Sequence, residues 1–141
     1  MATWRSDRHR IGALLLKATD AGLEAAARQV QGRVRVALRG GYTSGAFVTG
    51  AGMNAVTVGA PEWRGRARAV AVGTNMAHSV YWELGHFNTF TRRYERQERW
   101  RPALNDSAPD AQAAFARVFG RVWQAGGGGP TTGGAYDMAA D

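Results

Sequence analysis

The sequence predicts an α+β protein in which a long N-terminal helix and a C-terminal helix pack on a small antiparallel β-sheet. Two helical patterns of apolar residues, at 11–38 and 109–124, and the β-type segments between them carry this prediction. An extended loop or hairpin before the second helix and a glycine-rich C-terminal tail complete the expected architecture.

The first helix is predicted from Ile11 to Leu38, with Ser6 or Asp7 as its N-terminal cap. Gly22 and Gly32 weaken a helix, so they indicate either a close contact with another helix or a bend. One side of this helix should be buried. The apolar stripe on that side comprises Leu15, Thr19, Leu23, Ala26, Val30, Val34 and Ala37.

Three short segments have the composition of β-strands, at residues 46–49, 55–58 and 66–74. The second and third are expected to pair as an antiparallel hairpin. Between them, Ala-Pro-Glu-Trp-Arg-Gly is predicted to form a turn, because Pro61 and Gly65 break regular structure.

The chain after the hairpin predicts a short helix or strand that ends at Gly85, and then a loop or long hairpin from His86 to Arg99. Pro102 suits the first turn of a helix. The stretch Ser107–Asp110 resembles a capping box, which predicts that the second long helix runs from Pro109 to Gln124.

The 141 residues, 45% of them apolar, are enough for one domain with a modest core. We expect a single α+β domain over residues 1–125, followed by the glycine-rich tail at 126–141. No apolar run reaches the length of a membrane helix and no signal-peptide pattern is visible, so we expect a soluble protein made in the cytoplasm.

The charge is strongly basic, with 18 basic and 11 acidic residues and a net charge of +7. Lys17 is the one lysine in the sequence, so the other basic residues are all arginine. This bias is explained equally well by a GC-rich genome and by a surface that faces phosphate or carboxylate groups.

The sequence shows no constellation for catalysis. It has no cysteine, which excludes disulfides, thiolate metal sites and cysteine nucleophiles. His78 and His86 are eight residues apart with Glu83 between them, which indicates a zinc site only weakly. The glycine-rich tail lacks the lysine and the following helix of a phosphate loop. We therefore expect no enzyme activity, no metal and no cofactor.

The loop before the second helix is both basic and aromatic. Such a mixture suits single-stranded nucleic acid, through stacking and phosphate contacts, and it also suits a protein interface. Glu95 and Glu98 offset part of the positive charge, which favours the protein interface. The aromatic residues Phe87, Phe90, Tyr94 and Trp100 are interspersed with Arg92, Arg93, Arg96, Arg99 and Arg101.

The order of the short motifs resembles a known family. The segments Val72-Gly73-Thr74, Tyr81-x-Glu83-x-Gly85 and Arg101-Pro102-Ala103-Leu104 follow a long helix and precede a final one. This order resembles the neck or tail-completion proteins of long-tailed bacteriophages, the gene-ten-like family of the Hong Kong phages. The resemblance spans residues 11–124. The chain departs from the family in its longer loop before Pro102 and in its glycine-rich tail.

The resemblance implies a structural virion protein of a tailed phage, made in the host cytoplasm and located in the neck. Such proteins form homo-oligomeric rings that join the portal and head-closure proteins to the tail terminator or tail tube, without a cofactor or a reaction. A basic ring surface would face DNA in the channel without sequence specificity. The alternative hypothesis is a small basic nucleic-acid-binding protein.

The resemblance and the residue pattern together assign candidate residues. The family-motif positions with a structural role are Gly73, Tyr81, Glu83, Gly85 and Pro102. The candidate subunit-interface residues are Phe87, Phe90, Arg92, Arg93, Tyr94, Arg96 and Trp100. The candidate residues that face a DNA channel are Arg28, Arg35 and Arg39.

The turn around Gly85 carries three specific expectations. Tyr81 should pack under the sheet, and Glu83 should make a fixed hydrogen bond or ion pair to an arginine. Gly85 should adopt a positive φ, because the chain reverses direction there.

Overall fold

Two long helices lie side by side and antiparallel, with three two-stranded antiparallel sheets beside them, so the predicted α+β class is confirmed. The computed structural model describes residues 4–39 and 51–128. The predicted strand at 46–49 and most of the glycine-rich tail lie outside these residues. The elements in chain order are α1 (Trp4–Ala37), α2 (Ala51–Asn54), β1 (Thr57–Val58), β2 (Glu62–Arg64), β3 (Ala67–Ala69), β4 (Val72–Gly73), α3 (Ala77–Leu84), β5 (His86–Asn88), β6 (Arg93–Glu95) and α4 (Trp100–Ala125).

Helix α1 begins at Trp4, a full two turns before the predicted start at Ile11. Ser6 and Asp7 therefore lie inside the helix, and their predicted role as its cap is wrong. The sequence between Trp4 and Ile11 contains no glycine or proline, so nothing in it stops the helix from extending toward the N-terminus.

The predicted buried stripe of α1 is confirmed except at its first position. Val34 is fully buried, and the half-buried members are Thr19, Leu23, Ala26, Val30 and Ala37. Leu15 is 48% exposed, whereas Ala18 is fully buried and Ala27 nearly so. Small residues face α4 because its aromatic rings need room: a Cβ at Gly22 would lie 2.7 Å from Cδ2 of Phe115. Gly22 thus marks a close helix contact, one of the two predicted alternatives for the helix glycines.

Helix α4 is continuous from Trp100, so the predicted helix start at Pro109 is wrong. Ser107 does not cap a helix there. It is fully buried within α4, and its hydroxyl donates a hydrogen bond to the Leu104 carbonyl at 2.9 Å. Pro109 is accommodated inside the helix on an exposed position. Pro102 lies in the first turn, as predicted.

The antiparallel hairpin predicted from the strands at 55–58 and 66–74 is present over residues 57–73, but it is divided into two ladders. Thr57 pairs with Gly73 in the first ladder, and Glu62 pairs with Ala69 in the second. The register shifts by one residue between them, because Ala60 and Pro61 stand opposite the single residue Val70, as in a β-bulge. Proline is tolerated at such a position because a bulge leaves its missing N–H unneeded. The predicted turn is therefore shorter than expected, since its centre forms β2.

An ion pair ties this hairpin to α1. The Arg68 guanidinium binds both carboxylate oxygens of Asp20, at 2.7 and 2.8 Å, and lies 5.1 Å from the ring centroid of Trp63. The hydrogen bonds from Arg68 lower the pKa of the Asp20 carboxyl, and the same carboxylate raises the pKa of Arg68. The bond is bidentate and part-buried, the geometry in which arginine gives directional specificity.

The core is small and lies at one end of the helix pair. Its fully buried members include Val34 and Val56, which meet where α1, α4 and the first β-ladder converge. Half-buried apolar residues surround them. The cluster consists of Val34, Leu38, Val56 and Ala103, with Val30, Ala37, Met53, Val72, Trp82 and Trp100 packed against it.

Helix α4 ends in a Schellman motif. Gly127 adopts a left-handed φ of 84°, and the N–H of Gly128 donates to the Trp123 carbonyl at 2.8 Å. The first glycines of the predicted tail therefore serve as the helix stop.

Candidate interaction surface

Glu83 joins the two ends of the basic aromatic segment. It lies near the end of α3, and its Oε1 accepts hydrogen bonds from the backbone N–H groups of Arg99 at 2.6 Å and Trp100 at 3.0 Å. The first N–H groups of a helix have no acceptor within the helix, and Glu83 supplies one here. The helix dipole also favours a carboxylate at this end. The fixed hydrogen bond predicted for Glu83 is confirmed, with an arginine donating through its main chain.

The C-terminus of α3 is capped in return by the chain that leads to α4. The carbonyl of Trp82 accepts from the N–H of Gln97 at 3.0 Å. The carbonyl of Glu83 accepts from Nε of Arg96 at 3.0 Å, and that of Leu84 accepts from the Tyr94 hydroxyl at 2.9 Å. Three consecutive carbonyls at the helix end are thus satisfied by residues 94–97.

Gly85 allows this return. Its φ of 90° lies in the left-handed region, which confirms the predicted positive φ. A Cβ at Gly85 would lie 2.6 Å from Cε1 of Tyr94, so the tyrosine ring occupies the space that a side chain would need. Gly73, another motif position, has no neighbour within 4 Å of its would-be Cβ. The side chain of Tyr81, expected under the sheet, lies outside the part of the molecule that the structure describes.

Strands β5 and β6 form a hairpin that is braced by one asparagine. Asn88 Oδ1 accepts from the N–H of Phe90 at 2.9 Å and of Thr91 at 3.3 Å, an Asx-type turn. Its amide donates to Oε2 of Glu95 at 3.1 Å. Arg92 completes the turn with a left-handed φ of 51°. Side-chain hydrogen bonds therefore stabilise the turn at the tip of the hairpin.

Glu95 is the anchor of this brace. Its carboxylate also accepts from the Thr91 hydroxyl at 3.1 Å and lies 3.7 Å from Nε2 of His86. The hydrogen bond from Asn88 lowers the pKa of Glu95 most, with further contributions from Thr91, His86 and Arg93. His86 in turn packs edge-to-face against Trp82, with ring centroids 4.5 Å apart.

The seven candidate interface residues divide into two groups. Phe90 is 97% exposed at the hairpin tip and Phe87 is 58% exposed, with Arg92 and Arg93 also exposed beside them. The other three are bonded or packed within their own chain. Tyr94 and Arg96 cap α3 as described, although both keep exposed surface, and Trp100 packs against the core.

An apolar cleft of about 370 Å³ opens beside the base of the hairpin. Leu84, at the end of α3, is 68% exposed and Leu104, in the first turns of α4, is 43% exposed. Charged groups at its rim are paired with one another, since Glu98 binds both Arg96 and Arg101. The cleft is lined by Gly73, Thr74, Ser79, Glu83, Leu84, Arg96, Glu98, Trp100, Arg101 and Leu104.

The three arginines expected to face a DNA channel are not equivalent. Arg28 and Arg39 are exposed. Arg35 is half-buried, and its Nη2 donates to the Val56 carbonyl at 3.1 Å, beside a similar bond from Gln31 at 2.9 Å. Arg35 therefore holds the start of β1 against α1, whereas the other two present their charge to the surroundings.

Within residues 4–39 and 51–128, no group of three or more His, Asp or Glu side chains forms a candidate metal site. The side chain of His78, which the weak zinc hypothesis requires, lies outside the described part of the structure. In the same residues, no helix combines the length and the apolarity needed to cross a membrane.

Comparison of the chain with protein-family models, with curated proteins and with solved structures gave no match.

The residues that shape this surface carry weaker signals in the sequence than the exposed residues on it. Asn88 was not distinguished, although an asparagine two residues before an aromatic tip is a turn signal that could have been used. Leu84 and Leu104 form the cleft only because α3 and α4 are brought together by Glu83, which no local pattern indicates.

Proposed function

We propose that this protein is a ring-forming adaptor in the neck of a tailed bacteriophage, where it joins the portal and head-closure complex to the tail terminator or tail tube. The observation that carries the proposal is the paired surface just described. A braced hairpin presents Phe87 and Phe90, and an apolar cleft lies beside its base. Exposed apolar surface of this kind is typical of protein interfaces.

The role of Glu83 supports the resemblance on which the proposal rests. The motifs Tyr-x-Glu-x-Gly and Arg-Pro-Ala-Leu are separated by a long segment in the sequence, yet Glu83 binds the residues that directly precede Arg101. A shared structural task explains why both motifs belong to one pattern. The unusually long segment between them then forms the exposed hairpin.

The size of the core also supports assembly. The fully buried side chains of the described residues are no larger than valine or serine, while ten large apolar residues are exposed. A chain with so little buried apolar surface gains stability when neighbouring copies cover the rest.

Arg28 and Arg39 fit an adaptor with a central channel. Their charge is repeated in every copy of a ring, which produces a field that attracts DNA without contacting bases. On this proposal, DNA contact is non-specific and secondary to protein–protein contact.

Deletion of the gene from the phage that carries it tests the proposal. The mutant should make DNA-filled heads and separate tails that fail to join, visible by electron microscopy of lysates. The purified protein should bind DNA weakly at physiological salt, with a Kd no tighter than ~10⁻⁶ M. Normal joining in the mutant, together with nanomolar DNA binding, would overturn the adaptor and favour the nucleic-acid-binding alternative.

A further inference from the structure

We infer that the hairpin tip of one copy inserts Phe90 into the Leu84–Leu104 cleft of the next copy, so that the chain associates head to tail. This inference deepens the proposed ring-forming function and rests on it for the closure of the ring. The two surfaces that meet are the hairpin tip around Phe90 and the cleft between Leu84 and Leu104.

The hairpin has the properties of an anchor. Phe90 is almost completely exposed, and a buried phenylalanine removes roughly 150–250 Å² of surface from water. The Asn88 bonds to the backbone of Phe90 and Thr91 fix the turn before any partner is present. Pre-organisation of this kind lowers the entropic cost of association.

The cleft has the properties of the matching receptor. Its volume of about 370 Å³ accommodates a phenyl ring, and its exposed walls are the side chains of Leu84 and Leu104. The formal charges of the lining balance, because Arg96 and Arg101 are matched by Glu83 and Glu98, and both arginines bind Glu98. A neutral aromatic side chain therefore fits this cleft better than a charged ligand does.

Phe90 cannot fill the cleft of its own chain. The hairpin leaves the cleft at Leu84 and returns to it at Arg96, so these residues stand at its base. Strands of three residues place the tip about 10 Å farther out, and the hydrogen bonds from Tyr94 and Arg96 to the last carbonyls of α3 fix the base of the hairpin. A second copy carries the same side chain in the same braced form, and each copy supplies one tip and one cleft.

Tip and cleft are different surfaces of one molecule, so their contact is heterologous. A heterologous contact leaves one unused tip and one unused cleft in every dimer, and repetition produces a closed ring or a filament. One phenylalanine and its cleft account for roughly 400 Å², counting both sides. Phe87, Arg92 and Arg93 flank the tip and supply further area toward the ~1,200 Å² of a stable interface.

Two variants that each remove one half of the contact test this geometry. Phe90→Ala removes the tip, and Leu104→Arg blocks the cleft. Both sites are exposed, so circular dichroism should show folded protein in each case. In sedimentation velocity over a concentration series, each variant should self-associate at least about 30-fold more weakly than the wild type, the loss typical of an aromatic anchor.

The decisive measurement mixes the two variants. The tip of Leu104→Arg can still enter the cleft of Phe90→Ala, so the mixture should form 1:1 dimers and nothing larger. Val36→Ala removes an exposed apolar side chain of α1 that does not line the cleft, and this variant should associate like the wild type. The inference is overturned if the mixture stays monomeric, if either variant assembles like the wild type, or if the wild type itself is monomeric throughout.

These outcomes are separable from a failure of the proposed function. A protein that does not associate through Phe90, in a phage whose deletion mutant still fails to join heads to tails, overturns the contact and leaves the adaptor role intact. A protein that associates through Phe90, in a phage whose deletion mutant joins normally, overturns the adaptor role alone.

Discussion

Two regions of the molecule are held together by different physical means. At the α3–α4 junction, helix ends are satisfied by hydrogen bonds from residues far away in sequence, through Glu83, Tyr94 and Arg96. Along the α1–α4 pair, the contact depends on small residues, with Gly22 accepting the ring of Phe115 at close range. The junction is directional and polar, whereas the helix pair is close-packed and largely apolar.

This difference determines which changes each region tolerates. A hydrogen-bonded helix end fails when one acceptor is lost, because the remaining donors are left without partners. A close-packed helix pair fails when volume is added, because dense interiors cannot expand locally. Deletion of a polar atom should therefore damage the junction, and addition of one methyl group should damage the helix pair.

The largest loss is expected at Gly85. Replacement by valine forces a β-branched residue into a left-handed φ and drives its Cβ into the ring of Tyr94. The expected loss is about 3 kcal/mol or more of the free energy of unfolding, measured by urea denaturation.

Gly73→Val is the matched control for Gly85→Val, because a Cβ at Gly73 meets no neighbour within 4 Å and the φ of Gly73 is not positive. It should cost far less. Equal losses in the two variants would show that the turn at Gly85 is not special.

The next largest loss is expected at Glu83. Glu83→Ala removes the acceptor for two backbone donors at the start of α4 and should cost about 2 kcal/mol in the same assay. Glu83→Gln keeps an acceptor without the charge and should lose roughly half as much. If alanine and glutamine cost the same small amount, the carboxylate does not hold the junction.

Two of the three glycines of α1, Gly22 and Gly32, offer a pair of substitutions with opposite expected signs. Gly22→Ala places a methyl group against the Phe115 ring and should cost about 1–2 kcal/mol. Gly32→Ala meets no neighbour and should stabilise the exposed helix by up to about 1 kcal/mol. Thermal unfolding of both variants checks the prediction, and two changes of the same sign would contradict the close-packed contact.

The smallest expected effect is on the stability of the protein at acid pH. Arg68 lowers the pKa of Asp20 below its ordinary value of 3.8, so the unfolded chain binds the proton more readily than the folded one. The stability that this pair contributes is therefore present above pH 3.8 and is lost as the pH falls through the lower, folded value. In urea denaturation at a series of pH values, Asp20→Asn should lose less stability than the wild type as the pH falls below 3.8. Near neutrality the free energy of unfolding of both proteins should depend little on pH. An unchanged acid profile would mean that the pair contributes no pH-dependent stability.

The sequence predicts the junction better than the helix pair, for a physical reason. A left-handed φ favours glycine and the first turn of a helix accommodates proline, so Gly85 and Pro102 leave visible marks in a single sequence. The bond from Glu83 to an arginine was also expected, although not its place at the start of α4. Which residues of α1 are buried depends on the side chains of α4 that lie opposite them. The hydrophobic periodicity of α1 contains no information about those side chains, so it predicts a buried Leu15 where the structure has an exposed one.

The candidate surface was predictable in part. The exposed aromatic tip follows from Phe87 and Phe90 in a basic hairpin segment, whereas the inward role of Trp100 follows only from the three-dimensional path of α4. The capping box at Ser107 misled because a helix already under way buries its serine against a carbonyl of the preceding turn.

The pairing of α1 with α4 has a consequence for how the chain folds during synthesis. Arg33 of α1 binds Asp110 of α4, which is 77 residues later in the chain, whereas Glu83 binds the start of α4 only 17 residues later. At ~5–20 residues per second, α1 leaves the ribosome several seconds before its partner exists. The loop-closing entropy of that distant contact makes it the slow step, while the Glu83 junction can form early and locally. Until α4 arrives, the alanines and glycines of α1 stay uncovered, so the early junction at Glu83 has the further effect of starting the helix that will cover them.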